Sequence, residues 1–187
     1  MERVMVFIDG SNFYYGLLET LGHARLDFDC FCVLLCGQER RLVHTHYYNV
    51  PVRQATDPVQ YAQQQKFFQG LRSIPHFSLN LGRLVDRERQ EQCPQCGHQY
   101  AISYRIEKGV DVQLAVHMLA AAFDDQYDTA ILVSQDGDFA PAVAEVRKLR
   151  KAVENADFAQ NLPSYLSKQC ARTILLTPDL LDPCVLR

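Results

Sequence analysis

Thr129-Ala130-Ile131-Leu132-Val133-Ser134-Gln135-Asp136-Gly137-Asp138-Phe139 is a short apolar run that stops at two carboxylates flanking a glycine. A run of this length, rich in Ile, Leu and Val and closed by a turn residue, reads as a strand buried on both faces. A helix capped by Asp138 follows it. The strand therefore delivers Asp136 and Asp138 to one spot. The start of the chain repeats the construction: Val4-Met5-Val6-Phe7-Ile8 ends in Asp9-Gly10-Ser11-Asn12, where a second helical pattern begins.

Working outward, 187 residues are enough for one domain with a single core, and the chain reads as one domain over residues 1–187. A 48% hydrophobic, 22% charged composition is that of a globular protein rather than a disordered or fibrous one. The first apolar run stops at Asp9, too short for a signal-peptide core, and nothing approaches a membrane span, so a cytoplasmic protein without a membrane partner is expected. Seven cysteines without a secretory signal then read as reduced thiols or metal ligands rather than disulfides. A formal net charge of -3 excludes a globally basic nucleic-acid binder, while leaving room for a local basic patch.

Helices are expected over residues 11 to 21, capped by Ser11 or Asn12, and 28 to 36, stopped by Gly37. Cys32 and Cys36 on the second read as buried structural thiols. Residues 41 to 50 form the next strand, with His44 and His46 on one face in a structural or surface role. Asp57-Pro58 opens a helix to about Leu71, and residues 77 to 85 make a third strand.

A polar, charged insertion from about 86 to 105 carries Cys93-Pro94-Gln95-Cys96-Gly97-His98. Two thiols two residues apart can chelate a structural Zn2+ from a tight turn. They are half a site. His98 is a candidate third ligand, and a distant group such as His76, or another chain in a homo-oligomer, would have to complete it. The bland alternative is a hairpin tip with two reduced cysteines. Arg83, Arg87, Arg89, Arg105 and Lys108 supply a rim able to bind phosphates, or a merely solvated loop.

Residues 109 to 123 then form a helix apolar on most sides, with Asp111 in its first turn. After the 129 to 133 strand come a helix from 138 to 150, a short strand near 152 to 155, a helix around 162 to 168 and a last strand from 172 to 176. Alternating strands and helices call for an α/β fold of three layers, a Rossmann-like parallel sheet with helices on both faces. In such a sheet every strand ends at one edge, so Asp9, Asn12, Asp111, Asp136 and Asp138 share a rim. If the first and fourth strands are neighbours, about 4.8 Å apart, Asp9 and Asp136 come within reach of a common ion. Crowded carboxylates take up protons or a cation, and oxygen-only ligands favour Mg2+ or Mn2+. No Gly-x-x-x-x-Gly-Lys-Ser/Thr phosphate loop, Gly-x-Ser-x-Gly elbow or dinucleotide glycine fingerprint offers another chemistry.

Three blocks, Val6-Phe7-Ile8-Asp9-Gly10-Ser11-Asn12-Phe13, Lys108-Gly109-Val110-Asp111-Val112 and Leu132-Val133-Ser134-Gln135-Asp136-Gly137-Asp138-Phe139, resemble the motifs of NYN domains, in particular their LabA-like branch. The resemblance implies a PIN-like fold and a metal-dependent ribonuclease. Its acidic centre would lie at Asp9, Asp111, Asp136 and Asp138, with Asn12 as the polar partner after the first strand. Many relatives have a glycine entering the strand after the Asp138 helix, where this chain has Arg150-Lys151, which leaves that strand's register open. The CxxC insertion resembles one found in some members only.

The sequence thus reads as a Mg2+- or Mn2+-dependent ribonuclease in which those acids bind or orient the metal. Ser11, Lys108, Arg87, Arg89 and Arg105 would bind RNA. Two alternatives are a catalytically silent RNA-binding or protein-interaction module and a phosphatase acting on a small phosphorylated molecule.

Overall fold

The computed structural model describes residues 1–158 and 163–186. Its frame is a six-stranded sheet built from β1 (Glu2–Asp9), β2 (Arg40–Asn49), β3 (Phe77–Leu81), β6 (Thr129–Val133), β7 (Ala152–Phe158) and β8 (Arg172–Leu176). The order is β3-β2-β1-β6-β7-β8, and every pairing is parallel. β1 and β6 are neighbours, with Ile8 opposite Val133, as their acid-tipped ends require.

All five residues of β6 are buried, and so are the last six of β1. Burying an aliphatic side chain contributes about 1.5–3 kcal/mol, so these two strands seat the sheet and leave polar groups only at their ends. Val4, Val6, Ile8, Ile131 and Val133 pack against α1 (Gly10–Leu21), α2 (Phe28–Cys36) and α3 (Pro58–Arg72). Met5, Phe7, Ala130 and Leu132 pack on the other face, against α4 (Val110–Phe123) and α5 (Ala140–Lys148). A last turn of helix, α6 (Pro178–Leu181), comes after β8. Helices therefore cover both faces, and none among the described residues is long and apolar enough to cross a membrane.

Several expectations need correction. The 77 to 85 strand breaks at Gly82, where a Cβ would lie 2.7 Å from the Lys108 carbonyl oxygen, so the chain leaves the sheet there. Beyond the break the insertion expected at about 86 to 105 is an antiparallel hairpin that begins earlier, β4 (Arg83–Gln92) with β5 (Gln99–Lys108). The cap after β6 is Asp136, whose side chain accepts from the Asp138 N–H, and a 3-10 turn, Gly137–Phe139, precedes α5. Similarly, Asp9 rather than Ser11 or Asn12 caps α1. Of the helix expected at 162 to 168, residue 162 lies outside the described residues, and only a 3-10 turn, Ser167–Gln169, is found.

Not all cysteines are reduced: Cys30 and Cys184 form a disulfide, their Cα atoms 5.5 Å apart. The cause is tertiary. Asp27 N–H donates to the Cys184 carbonyl, laying the chain's end against the start of α2. Cys32 and Cys36 are free and buried in the core, as expected.

Candidate active site

Each site residue is placed by a strand end or a helix start. Asp9 ends β1, and one carboxylate oxygen accepts from the Asn12 N–H (3.2 Å) while the other accepts from Ser134 Oγ (3.1 Å). Gly10 comes next because α1 starts hard against β2: a Cβ there would meet the Tyr47 ring and the Tyr48 carbonyl at 2.5 Å. Asn12 reaches across to β6, its Oδ1 accepting from the Gln135 N–H (3.0 Å). Ser134 Oγ also accepts from the Asp136 N–H (3.1 Å), and Asp136 Oδ1 from the Asp138 N–H (2.9 Å). One chain of hydrogen bonds thus ties the ends of β1 and β6. Asp111 arrives separately, in the first turn of α4, launched by Gly109 at φ 91°.

The acids interact. Burial pushes the Asp9 carboxyl up to about 6, against the two hydrogen bonds that favour its ionised form, and the charges of Asp111 and Asp136 push the same way. Asp111 is likewise raised, first by burial and then by Asp136 and Asp138. None of the four has an ion-pair partner among the described residues.

Sequence reasoning missed three residues here. Ser134 bridges Asp9 and the Asp136 backbone. Asn155, fully buried on β7, donates from Nδ2 to the carbonyls of Leu132 (3.1 Å) and Ser134 (2.9 Å), bracing the end of β6. Asp157, 2% exposed, lies two residues on, on the same face and one residue past Ala156, which pairs with Val133; its Oδ1 lacks a partner among the described residues. Burial raises its pKa although Ser164 donates to it. The strand was expected to end at Asn155, so Asp157 fell outside it. The alternation of Val153, Asn155 and Asp157 against Glu154, Ala156 and Phe158 was the signal.

As arranged, no three His, Cys, Asp or Glu side chains among the described residues converge as a ready-made metal site. The donor set nevertheless fits an ion such as Mg2+, which keeps several waters and needs only one or two direct carboxylates. The neighbouring charges that shift Asp9 and Asp111 are all carboxylates, and each raises the pKa.

The remaining predicted residues divide. Ser11 Oγ donates to Glu107 on the hairpin base (3.3 Å). Cross-strand pairing puts Arg83, Lys108, Arg87, Tyr104, Arg89 and Tyr100 on one hairpin face, with the Arg89 guanidinium 5.9 Å from the Tyr104 ring centre. Arg105 is on the other face, held with Arg53 by Asp86 (3.3 and 2.6 Å). The arginines therefore do not form one rim. Cys93, Cys96 and His98 sit at the hairpin tip, remote in sequence and register from the acids, and the two thiols gather no third ligand from His98 or His76 among the described residues. Between α1, α3 and the hairpin base, reaching Ser11 and Glu107 but none of the four acids, runs an open cavity of about 530 Å³ lined by Tyr14, Tyr15, Phe28, Tyr47 and Phe67.

A parallel sheet with helices on both faces and acids gathered at its C-terminal edge is the PIN-like arrangement, a nuclease-type fold. The NYN domain family model matches residues 3–177, and the chain belongs to that family, whose members are generally nucleases. No curated protein matches the sequence. Among solved structures, the chain is similar to a protein of unknown function, VPA0982 from Vibrio parahaemolyticus RIMD 2210633, at 22% identity and a TM-score of 0.68 over 99% of this chain and 96% of that one. That likeness shows the fold.

Proposed function

We propose that the protein is a ribonuclease that hydrolyses RNA phosphodiester bonds with the help of Mg2+ or Mn2+. The observation that carries this reading is the unpaired acidic edge, where Asp9 stays buried beside Asp111 and Asp136 with no ion-pair partner among the described residues. Asp9, Asp111, Asp136 and Asp138 would hold the metal, which when bound activates water and neutralises charge on the phosphate. Ser134 orients the Asp9 carboxylate and holds the Asp136 backbone N–H, while the Asn12 side chain holds the Gln135 N–H, so the ends of β1 and β6 stay together. Asp138, exposed as Asp111 is, is our candidate for accepting the proton of the attacking water. Lys108 and the Arg87, Arg89 and Tyr104 face of the hairpin lead into Gly109 and Asp111, so phosphates and stacked bases held there would lie upstream of the acids.

One observation favours a catalytically silent RNA-binding module instead: the acids as arranged do not converge on a common point. Incubating the protein with structured and single-stranded RNAs in Mn2+, in Mg2+ and in chelator separates the two. Cleavage in metal and not in chelator supports the ribonuclease. Binding without cleavage in any metal supports the silent module.

A further inference from the structure

The hairpin tip is built as half of a metal site. The turn is closed by Cys93 N–H to the His98 carbonyl (2.8 Å) and Gly97 N–H to the Cys93 carbonyl (2.9 Å), with Gly97 at φ 71°. Inside it the backbone N–H groups of Cys96 and Gln95, and the Cys96 thiol, donate to the Cys93 sulfur and hold that thiol below its ordinary range. Donors aimed at sulfur stabilise a thiolate, the form that binds metal. The two-residue spacing lets both sulfurs reach one tetrahedral ion, and Gly97 takes the positive φ that turns the chain away from it.

The other two ligands are not in this chain's described residues. Cys32 and Cys36 are in the core, Cys30 and Cys184 are bonded to each other, and no third His, Cys, Asp or Glu joins the pair. A structural Zn2+ site needs four ligands. The hairpin is suited to finding them elsewhere. Its strands form a separate two-stranded sheet of ten residues each, which at about 3.4 Å per residue carries the tip roughly 30 Å from the base. Beyond Asp86 and Arg105 most side chains are exposed. The strands are densely charged, yet residues 92 to 99 contain no Lys, Arg, Asp or Glu. Two tips can therefore meet without repulsion between side chains of like charge.

We propose that Cys93 and Cys96 of two copies of this chain bind one Zn2+ between them, joining the hairpins tip to tip in a zinc-dependent dimer. Each thiol releases its proton on binding, so formation weakens in acid. Dimerisation would fix two hairpins end to end while leaving the acidic edges at their far ends.

The test uses the full chain, reduced, loaded with ZnCl2 and freed of excess metal. Zinc per chain is measured by elemental analysis and mass by light scattering. The expected result is one zinc per two chains and a mass twice 21.4 kDa. Chelator should give monomer, and ZnCl2 should restore the dimer. Cys93→Ser and Cys96→Ser should each lose both zinc and dimer, with unchanged thermal unfolding because the tip is remote from the core. His98→Ala should lose neither. One zinc on a monomeric chain, no zinc after loading, a dimer that survives Cys93→Ser, or zinc loss in His98→Ala would each overturn the proposal.

Discussion

The two edges of the sheet treat the same residue type in opposite ways. At the edge where the strands begin, carboxylates are paired within the chain: Arg3 lies between Asp125 (2.8 Å) and Asp128 (2.7 Å), and Arg40 and Arg172 flank Glu154 (2.9 Å each). Hydrogen bonds from Arg3 hold Asp128 well below the usual carboxylate range. At the edge where the strands end, Asp9 is buried among other acids and pushed up to about 6. A buried carboxylate is costly without a partner. The first edge supplies the cation as part of the fold, and the second has no ion-pair partner for its acids among the described residues.

Breaking the paired edge should have the largest effect on stability. Arg40→Ala removes one of two guanidinium partners from Glu154, whose side chain is 10% exposed, and strips donors from the Leu35 and Cys36 carbonyls. A loss of about 3 kcal/mol is expected in denaturant unfolding. A loss below about 1 kcal/mol would mean that Arg172 alone suffices.

The unpaired edge should respond with the opposite sign. Without metal, Asp9→Asn relieves burial and repulsion and should stabilise the protein by roughly 1–3 kcal/mol at pH 7.5. The pH dependence obeys the same logic. The raised Asp9 binds its proton more tightly when folded, so its own contribution to metal-free stability should rise as pH falls from 8 through 6 towards 4. It is read as the difference between wild type and Asp9→Asn, because His46, pushed down to about 4 by burial, opposes it over the same range. As pH falls from the ordinary value of 3.8 towards the much lower value of folded Asp128, the stability of its pairing is progressively lost. A difference between wild type and Asp9→Asn that is flat between pH 8 and 5, or destabilisation by Asp9→Asn, would erase the contrast.

The smallest effect concerns the paired edge's own backbone. Arg150, at φ 61°, occupies a left-handed position just before β7. Arg150→Gly should stabilise by about 1 kcal/mol, read as a shift in the denaturant midpoint. No shift would show that the strain is offset by contacts of the arginine.

Much of this was legible in the sequence, for physical reasons. Strands buried on both faces must be continuous apolar runs, so β1 and β6 stood out, and parallel topology then sent Asp9, Asn12, Asp111, Asp136 and Asp138 to one edge. Features that depend on tertiary neighbours were not legible. β7 carries Glu154, Asn155 and Asp157 although it is buried, because Arg40 and Arg172 pair the first and β6 carbonyls take up the second. A strand so polar reads as shorter than it is, which hid Asp157. The hairpin has no buried face, so its charged residues resembled a loop. The disulfide depends on where the chain's end is laid down, which cysteine spacing does not encode.

The central claim is that the acidic edge binds the metal that hydrolyses RNA. Asp136→Asn keeps the side chain's shape while removing its charge, so the direct measurement compares this variant with wild type in thermal midpoint and RNA cleavage, with and without millimolar Mn2+. Wild type should gain stability with Mn2+, as any ligand that binds only the folded state provides, and should cleave RNA. The variant should remain folded, gain little stability from Mn2+ and lose cleavage by orders of magnitude. Equal Mn2+ stabilisation in both proteins, or undiminished cleavage by Asp136→Asn, would contradict the account.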